Sequence, residues 1–197
     1  IERSAGFADG FETLGNWTAP AGNTLSLDAD AFEGATAGLI TWTGTTDPPS
    51  FGTTGGVYIT VPESTALAFS GEKIRVSVWA KQPASNASSS FGVAYSTADV
   101  GNSGWNKFVP TASWVKYSFT YDVPEAGVGG TDFLGIWADT NHASRAVLID
   151  SVRIDVLTAD GEIGVVPETV SASVTEVNNT VATATGASAS SVSELSS

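Results

Sequence analysis

Lys73–Lys81, KIRVSVWAK, alternates strictly. Ile74, Val76, Val78 and Ala80 fall on one face, and Lys73, Arg75, Ser77, Trp79 and Lys81 on the other. A period of two marks a half-buried strand, because successive side chains point to opposite sides of a sheet. The aliphatic face is the core face, so Trp79 points away from the core among charged and polar neighbours. Asp132–Asp139, DFLGIWAD, repeats the pattern: Leu134, Ile136 and Ala138 face in, and Phe133, Trp137 and Asp139 face out. Two strands that each carry a tryptophan on the outer side are the strongest functional signal in the chain.

The 197 residues suffice for one domain of ordinary size plus an appendage. A chain that starts at Ile1 and holds no methionine is expected to be a processed product or a piece of something longer. No run approaches the ~18 apolar residues of a membrane span, so membrane insertion is not expected. The absence of cysteine excludes disulfides, a thiol nucleophile and cysteine-zinc sites. A net charge of −13 argues against nucleic acid and anionic membrane surfaces.

The other segments read as follows. Phe7 and Phe11 are core anchors around an Asp9-Gly10 turn, and Trp17 sits in a loop. Asn23–Leu27 is a strand with Leu25 and Leu27 inward; Gly38–Gly44 is another, with Ile40 and Trp42 inward. Residues 45–56 are loop. Val57, Ile59 and Val61 share one side of a short strand, and Phe91, Val93 and Tyr95 face in from Phe91–Thr97. Residues 98–110 form a loop holding Trp105. Trp114–Val123 turns Val115, Tyr117, Phe119 and Tyr121 inward, and Ala146–Leu157 closes the domain. No helix is expected before residue 158. Many strands separated by turn signals predict a mostly-β fold, a two-sheet antiparallel jelly-roll sandwich over residues 1–157.

The closing strand holds an anomaly. Leu148, Val152, Ile154 and Val156 share the inward parity, and so does Asp150. A carboxylate on a core face is costly unless paired or bound to a metal. A bulge that turns Asp150 outward and a structural calcium held by loop oxygens both account for it.

Gly10-Phe11-Glu12, Trp17, Val76–Lys81, Trp114–Pro124 and Leu148–Ile154, in that order, resemble the jelly-roll carbohydrate-binding modules appended to cellulases and xylanases. The resemblance covers about 150 residues; it is specific for architecture and weak for ligand. It implies a structural calcium near Glu12, Glu33–Gly34 and Asp150, and so favours calcium over the bulge. It also implies a glycan groove on one sheet face. A flat ring covers the apolar face of a pyranose while polar neighbours take the hydroxyls. Trp79 and Trp137 would be the platforms, with Arg75, Ser77, Lys81 and Asp139 as hydrogen-bonding groups. Gly92, Ala94 and Ser96 would form a low floor if their strand shares the sheet, and Trp105 a loop wall. The competing reading is that loops 45–56 or 98–110, or a neighbouring subunit, cover the outward tryptophans. Trp17, Trp42 and Trp114 are assigned to packing.

Catalysis finds little support, and a non-enzyme is expected. His142 stands alone in a polar loop with no triad elbow or zinc motif. Glycosidases need two carboxylates across a cleft, and Asp139 alone is placed near the aromatic face.

After a linker at 158–167 the composition shifts. Residues 168–197 hold no aromatic, basic residue or proline. Val170, Val174, Val177 and Val181 step by the spacing of a coiled-coil seam, and Val192 and Leu195 repeat Val174 and Val177 at an offset of 18. SVTEV (173–177) and SVSEL (191–195) match at that offset. Eighteen residues are about five helical turns, which keeps the stripe on one face. A C-terminal helical coiled-coil segment is expected, against the alternative of a disordered Ser/Thr/Ala linker. The segment resembles helical repeats near the C-terminal end of tail-tip and central-fibre (host-specificity) proteins of long-tailed bacteriophages, which assemble as trimers and often carry carbohydrate-binding-like sandwiches.

Three functions follow as expectations. The first is a virion tail-tip or fibre component, extracellular, whose sandwich touches host-surface glycan and whose helix forms a homotrimer beside other tail proteins. The second is a carbohydrate-binding module with its linker from a secreted polysaccharide-degrading enzyme. The third is a purely structural sandwich without ligand.

Overall fold

The computed structural model describes residues 2–4, 6–43, 56–97, 101–125, 131–138, 145–157 and 165–167. In chain order the elements are β1 (Glu2–Ser4), β2 (Phe7–Asp9), β3 (Trp17–Thr18), β4 (Asn23–Asp28), β5 (Ala37–Trp42), β6 (Val57–Thr60), α1 (Glu63–Phe69), β7 (Lys73–Lys81), β8 (Phe91–Thr97), β9 (Gly101–Asn102), β10 (Asn106–Phe108), β11 (Val115–Asp122), β12 (Asp132–Ala138), β13 (Arg145–Val156) and β14 (Val165–Pro167). The chain divides into two units, 1–3 with 165–197 and 4–164. In the first, β14 pairs with β1, which gives part of the expected linker a strand. The expected helical stripe, Val170, Val174, Val177, Val181, Val192 and Leu195, lies outside the described residues, as do Asp139 and His142.

The second unit is a two-sheet antiparallel sandwich, as expected. One sheet runs β11-β7-β13-β5-β4, with β2 paired to β13. The other runs β10-β8-β12-β6-β3, with β9 paired to β8. They are called here the β7–β13 sheet and the β8–β12 sheet. The core lies between them. Ile74, Val76, Val78 and Ala80 of β7 meet Phe91, Val93 and Tyr95 of β8 and Leu134, Ile136 and Ala138 of β12 in one apolar cluster. Burying these groups, at about 1.5–3 kcal/mol for each of the larger aliphatic and Phe side chains, is what a cysteine-free sandwich has to stand on.

Phe11 is an anchor as expected. It adopts φ +52°, is fully buried, and stacks on Trp17 at 4.8 Å. Its ring fills the space a side chain would take at Gly38, where a Cβ would come within 2.6 Å of it. Ile40, Trp42, Val57, Ile59 and Val61 are buried as read from the sequence.

Several expectations need correction: Trp17 belongs to β3 and not to a loop, and Val115, read as inward, is 37% exposed. Leu27 is 40% exposed, on the edge strand β4. A helix does occur before residue 158: α1 follows Pro62, opens with Glu63 in its first turn, and buries Ala66 and Phe69, three residues apart on one face. The region read as loop at 98–110 contributes the short strands β9 and β10 to the edge of the β8–β12 sheet.

The closing strand is bulged. The pairing of β13 with β7 shifts between Asp150 and Arg153, and Ser151 sits at φ +43°. Before the bulge Val147 and Ile149 face the core; after it Val152 and Ile154 do. Leu148 is therefore on the outer side, opposite Lys81, not inward as parity suggested. The bulge also marks a change of partner on the other edge of β13, from β5 along Arg145–Ile149 to β2 along Val152–Ile154. It places Asp150 outside the core, opposite Trp79.

Candidate functional site

Trp79 and Trp137 lie in different sheets. The shared two-tryptophan platform expected from the sequence does not form, and the outer face of each sheet has to be read by itself.

On the β8–β12 sheet, Phe133, Gly135 and Trp137 alternate away from the core. Trp137 stands opposite Gly92, Gly135 opposite Ala94, and Phe133 opposite Ser96. The expected floor of small residues is therefore in place beside Trp137. Trp105, immediately before β10, lays its indole over that floor. A Cβ at Gly92 would lie 3.1 Å from Trp105 and 3.2 Å from Trp137; one at Gly56 or Gly135 would lie 3.2 or 3.4 Å from Trp105. Three glycines thus let the ring rest directly on the sheet backbone. The two indoles are 5.9 Å apart at 48°, and Lys107 Nζ stands 5.0 Å from the Trp137 ring centroid, within cation–π range. Trp137 is outward but 0% exposed, so the ring facing solvent here is Trp105, which is half-buried. Further along, Tyr58 and Phe133 meet edge to face at 5.6 Å. The face offers a row of rings on a low floor with an ammonium at one end.

On the β7–β13 sheet, Arg75, Ser77, Trp79 and Lys81 share the outer face. Part of the Trp79 ring is covered by protein, the outcome the competing reading anticipated, though by a different loop. Phe32, in the β4–β5 loop, stacks on it at 3.7 Å and 12° and stays 40% exposed. Trp114 packs against Phe32 at 6.3 Å. Lys81 Nζ pairs with Asp30 Oδ2 at 2.5 Å.

The three acids assigned to calcium hold this same loop. The N–H groups of Phe32 and Glu33 donate to Asp150 Oδ2 at 2.8 and 3.0 Å, and the Ser151 N–H donates to Asp150 Oδ1 at 2.6 Å. The Ala35 N–H donates to Glu12 at 3.0 Å, and Ser151 Oγ donates to Glu33 Oε2 at 2.9 Å. A carboxylate that accepts several backbone N–H groups has its lone pairs satisfied by the protein itself. Among the described residues no three acidic or histidine side chains converge to hold a metal ion. In this structure Asp150 and Glu12 accept backbone N–H groups and Glu33 accepts the Ser151 hydroxyl, so the three acids fasten a loop.

The sandwich is similar to several solved structures. It resembles the CBM22-1 xylan-binding domain of Paenibacillus barcinonensis Xyn10C, with a TM-score of 0.55 and 18% identity over 80% of this chain and 97% of that one. A xylan-binding domain of CBM 22 gives 0.54 and 18%, over 76% and 93%. The C-terminal family 22 carbohydrate-binding module of Clostridium thermocellum Xyn10B gives 0.52 and 18%, over 82% and 96%. The fold is that of a carbohydrate-binding-module sandwich. No protein-family model and no curated protein matches the sequence.

One buried acid belongs to neither face. Asp132, at the start of β12, points inward and accepts a hydrogen bond from the Tyr95 hydroxyl. Burial raises the Asp132 pKa above the usual carboxylate range, while the Tyr95 bond works the other way. Burial, and then Asp132, push the Tyr95 phenol up.

Proposed function

We propose that the sandwich is a non-catalytic glycan-binding module whose site is the outer face of the β8–β12 sheet. The observation that carries this is Trp105: a half-buried indole lying on a floor of Gly56, Gly92 and Gly135 and backed by Trp137. Such a ring stacks on the C–H face of a sugar at low entropic cost. Lys107 supplies a donor for hydroxyls at one end, and the Tyr58–Phe133 pair extends the apolar track. The fold likeness to xylan-binding domains makes a β-linked plant polysaccharide the first ligand to try. Affinity electrophoresis in gels containing xylan, mixed-linked glucan or mannan tests it. Retardation by one polymer, abolished by Trp105→Ala, is the expected result; equal mobility of both proteins in every gel contradicts it.

For the setting, two readings stand. The 18-residue repeat of SVTEV and SVSEL favours a trimeric, extracellular tail-tip or fibre component that brings the module to a host surface. The alternative is a module and linker from a secreted polysaccharide-degrading enzyme. Sedimentation equilibrium of the full chain separates them: a trimer supports the first, a monomer at high concentration removes it.

A further inference from the structure

We propose that the outer face of the β7–β13 sheet carries a second ligand site, distinct from the Trp105 face, for a neutral hydroxyl-rich ligand of the sugar class. A cleft of about 570 Å³ opens there between the β2 end, the 33–34 turn, the β13 bulge and Trp79. That size lies within the ~300–1,000 Å³ of small-ligand sites. Its ligand class follows from its lining. Lys116 and Arg153, the latter paired with Asp155 at 2.7 Å, bring positive charge, and Asp9, Glu12 and Glu33 bring negative charge, so neither an anion nor a cation finds a one-signed field. Donors and acceptors both line it, which is what vicinal hydroxyls, each both donor and acceptor, require.

Two further features point to an occupant. Trp79 gives one part of its ring to Phe32, while the indole also lines the cleft and supplies an apolar wall beside the polar groups. The sheet floor holds Ser77, 1% exposed, whose hydroxyl has no hydrogen-bond partner. A buried hydroxyl left unpaired is costly, and a ligand hydroxyl placed against it would remove that cost. The cleft is also held in shape before any ligand arrives. Asp150 and Glu12 fix the 32–35 backbone that forms one wall, and preorganisation of this kind reduces the entropy lost on binding.

The test follows the indole N–H resonances of Trp79 and Trp105 in the ¹⁵N-labelled full chain. The probes are soluble hexasaccharides of xylan, cellulose, mixed-linked glucan and mannan, and calcium chloride alone. At least one sugar is expected to shift the Trp79 signal with its own affinity, and Lys116→Ala, at an exposed position, to weaken that response about fivefold. The same response is expected to survive Trp105→Ala. If a sugar moves Trp105 and none moves Trp79, the second site falls while the first stands. If the Trp79 response disappears with Trp105→Ala and ignores Lys116→Ala, it is propagated from the other face and the proposal is overturned. A response to calcium alone makes the cleft a cation site and likewise overturns it. Silence at both indoles removes both sites.

Discussion

Asp150 stands opposite Trp79 in strand register, and its carboxylate accepts the N–H of Phe32, the residue whose ring lies on that tryptophan. One acid thus sets the position of the loop that half-covers the indole. Replacing Asp150 with Ala leaves the Phe32, Glu33 and Ser151 amides without their acceptor. An expected cost of about 2–3 kcal/mol follows from the usual penalty for orphaned amides, discounted for water reaching the exposed part of the loop. Urea unfolding of Asp150→Ala beside the parent chain measures it.

The same bonds predict the effect of metal removal. Since Asp150 and Glu12 already serve backbone amides, adding a chelator is expected to leave the Tm of the sandwich unchanged. A fall of several degrees on chelation, reversed by calcium, would sink that assignment.

The glycine floor gives a third test. Gly92→Ala puts a methyl 3.1–3.2 Å from both Trp105 and Trp137, so the rings must lift. Overpacking of this kind costs about 1–3 kcal/mol, and glycan retention should weaken with it. Ser96→Ala, on the same face but away from the indoles, should change neither Tm nor retention appreciably.

Asp132 gives a pH dependence. Its folded pKa is raised above the ordinary 3.8. Its stabilising contribution is therefore complete below that value and is lost as pH rises through the higher folded pKa, where the buried group must ionise. Asp132→Asn keeps an acceptor for the Tyr95 hydroxyl without the charge. The variant is expected to have the higher Tm at pH 7, with the advantage shrinking toward pH 4. Thermal melts across that range read it directly.

Much of the sandwich was legible in the sequence because a period of two reports facing directly. Lys73–Lys81, Phe91–Thr97 and Asp132–Ala138 all present the faces their patterns predict. Sheet membership was not legible. Alternation says that Trp79 and Trp137 both point outward, and it says nothing about which strands lie beside them. The bulge at Ser151 was hidden for a related reason: the apolar parity of Val152 and Ile154 extends back through Leu148, although Val147 and Ile149 carry the opposite parity and could have betrayed the shift. The seven-residue α1 is under two turns, too short for its Ala66–Phe69 spacing to stand out. Trp105 was seen only as a wall because a loop tryptophan has no period. The signal that places it is the pair of outward glycines, Gly92 and Gly135, on neighbouring strands.

The central claim is that Trp105 is the sugar-stacking ring, and isothermal titration of the parent chain and Trp105→Ala with the best-retained oligosaccharide tests it most directly. The account predicts measurable binding by the parent and a loss of about tenfold in the variant, the scale of a ~1.5 kcal/mol stacking contribution, with the Tm nearly unchanged. Equal affinity in a folded variant would contradict it.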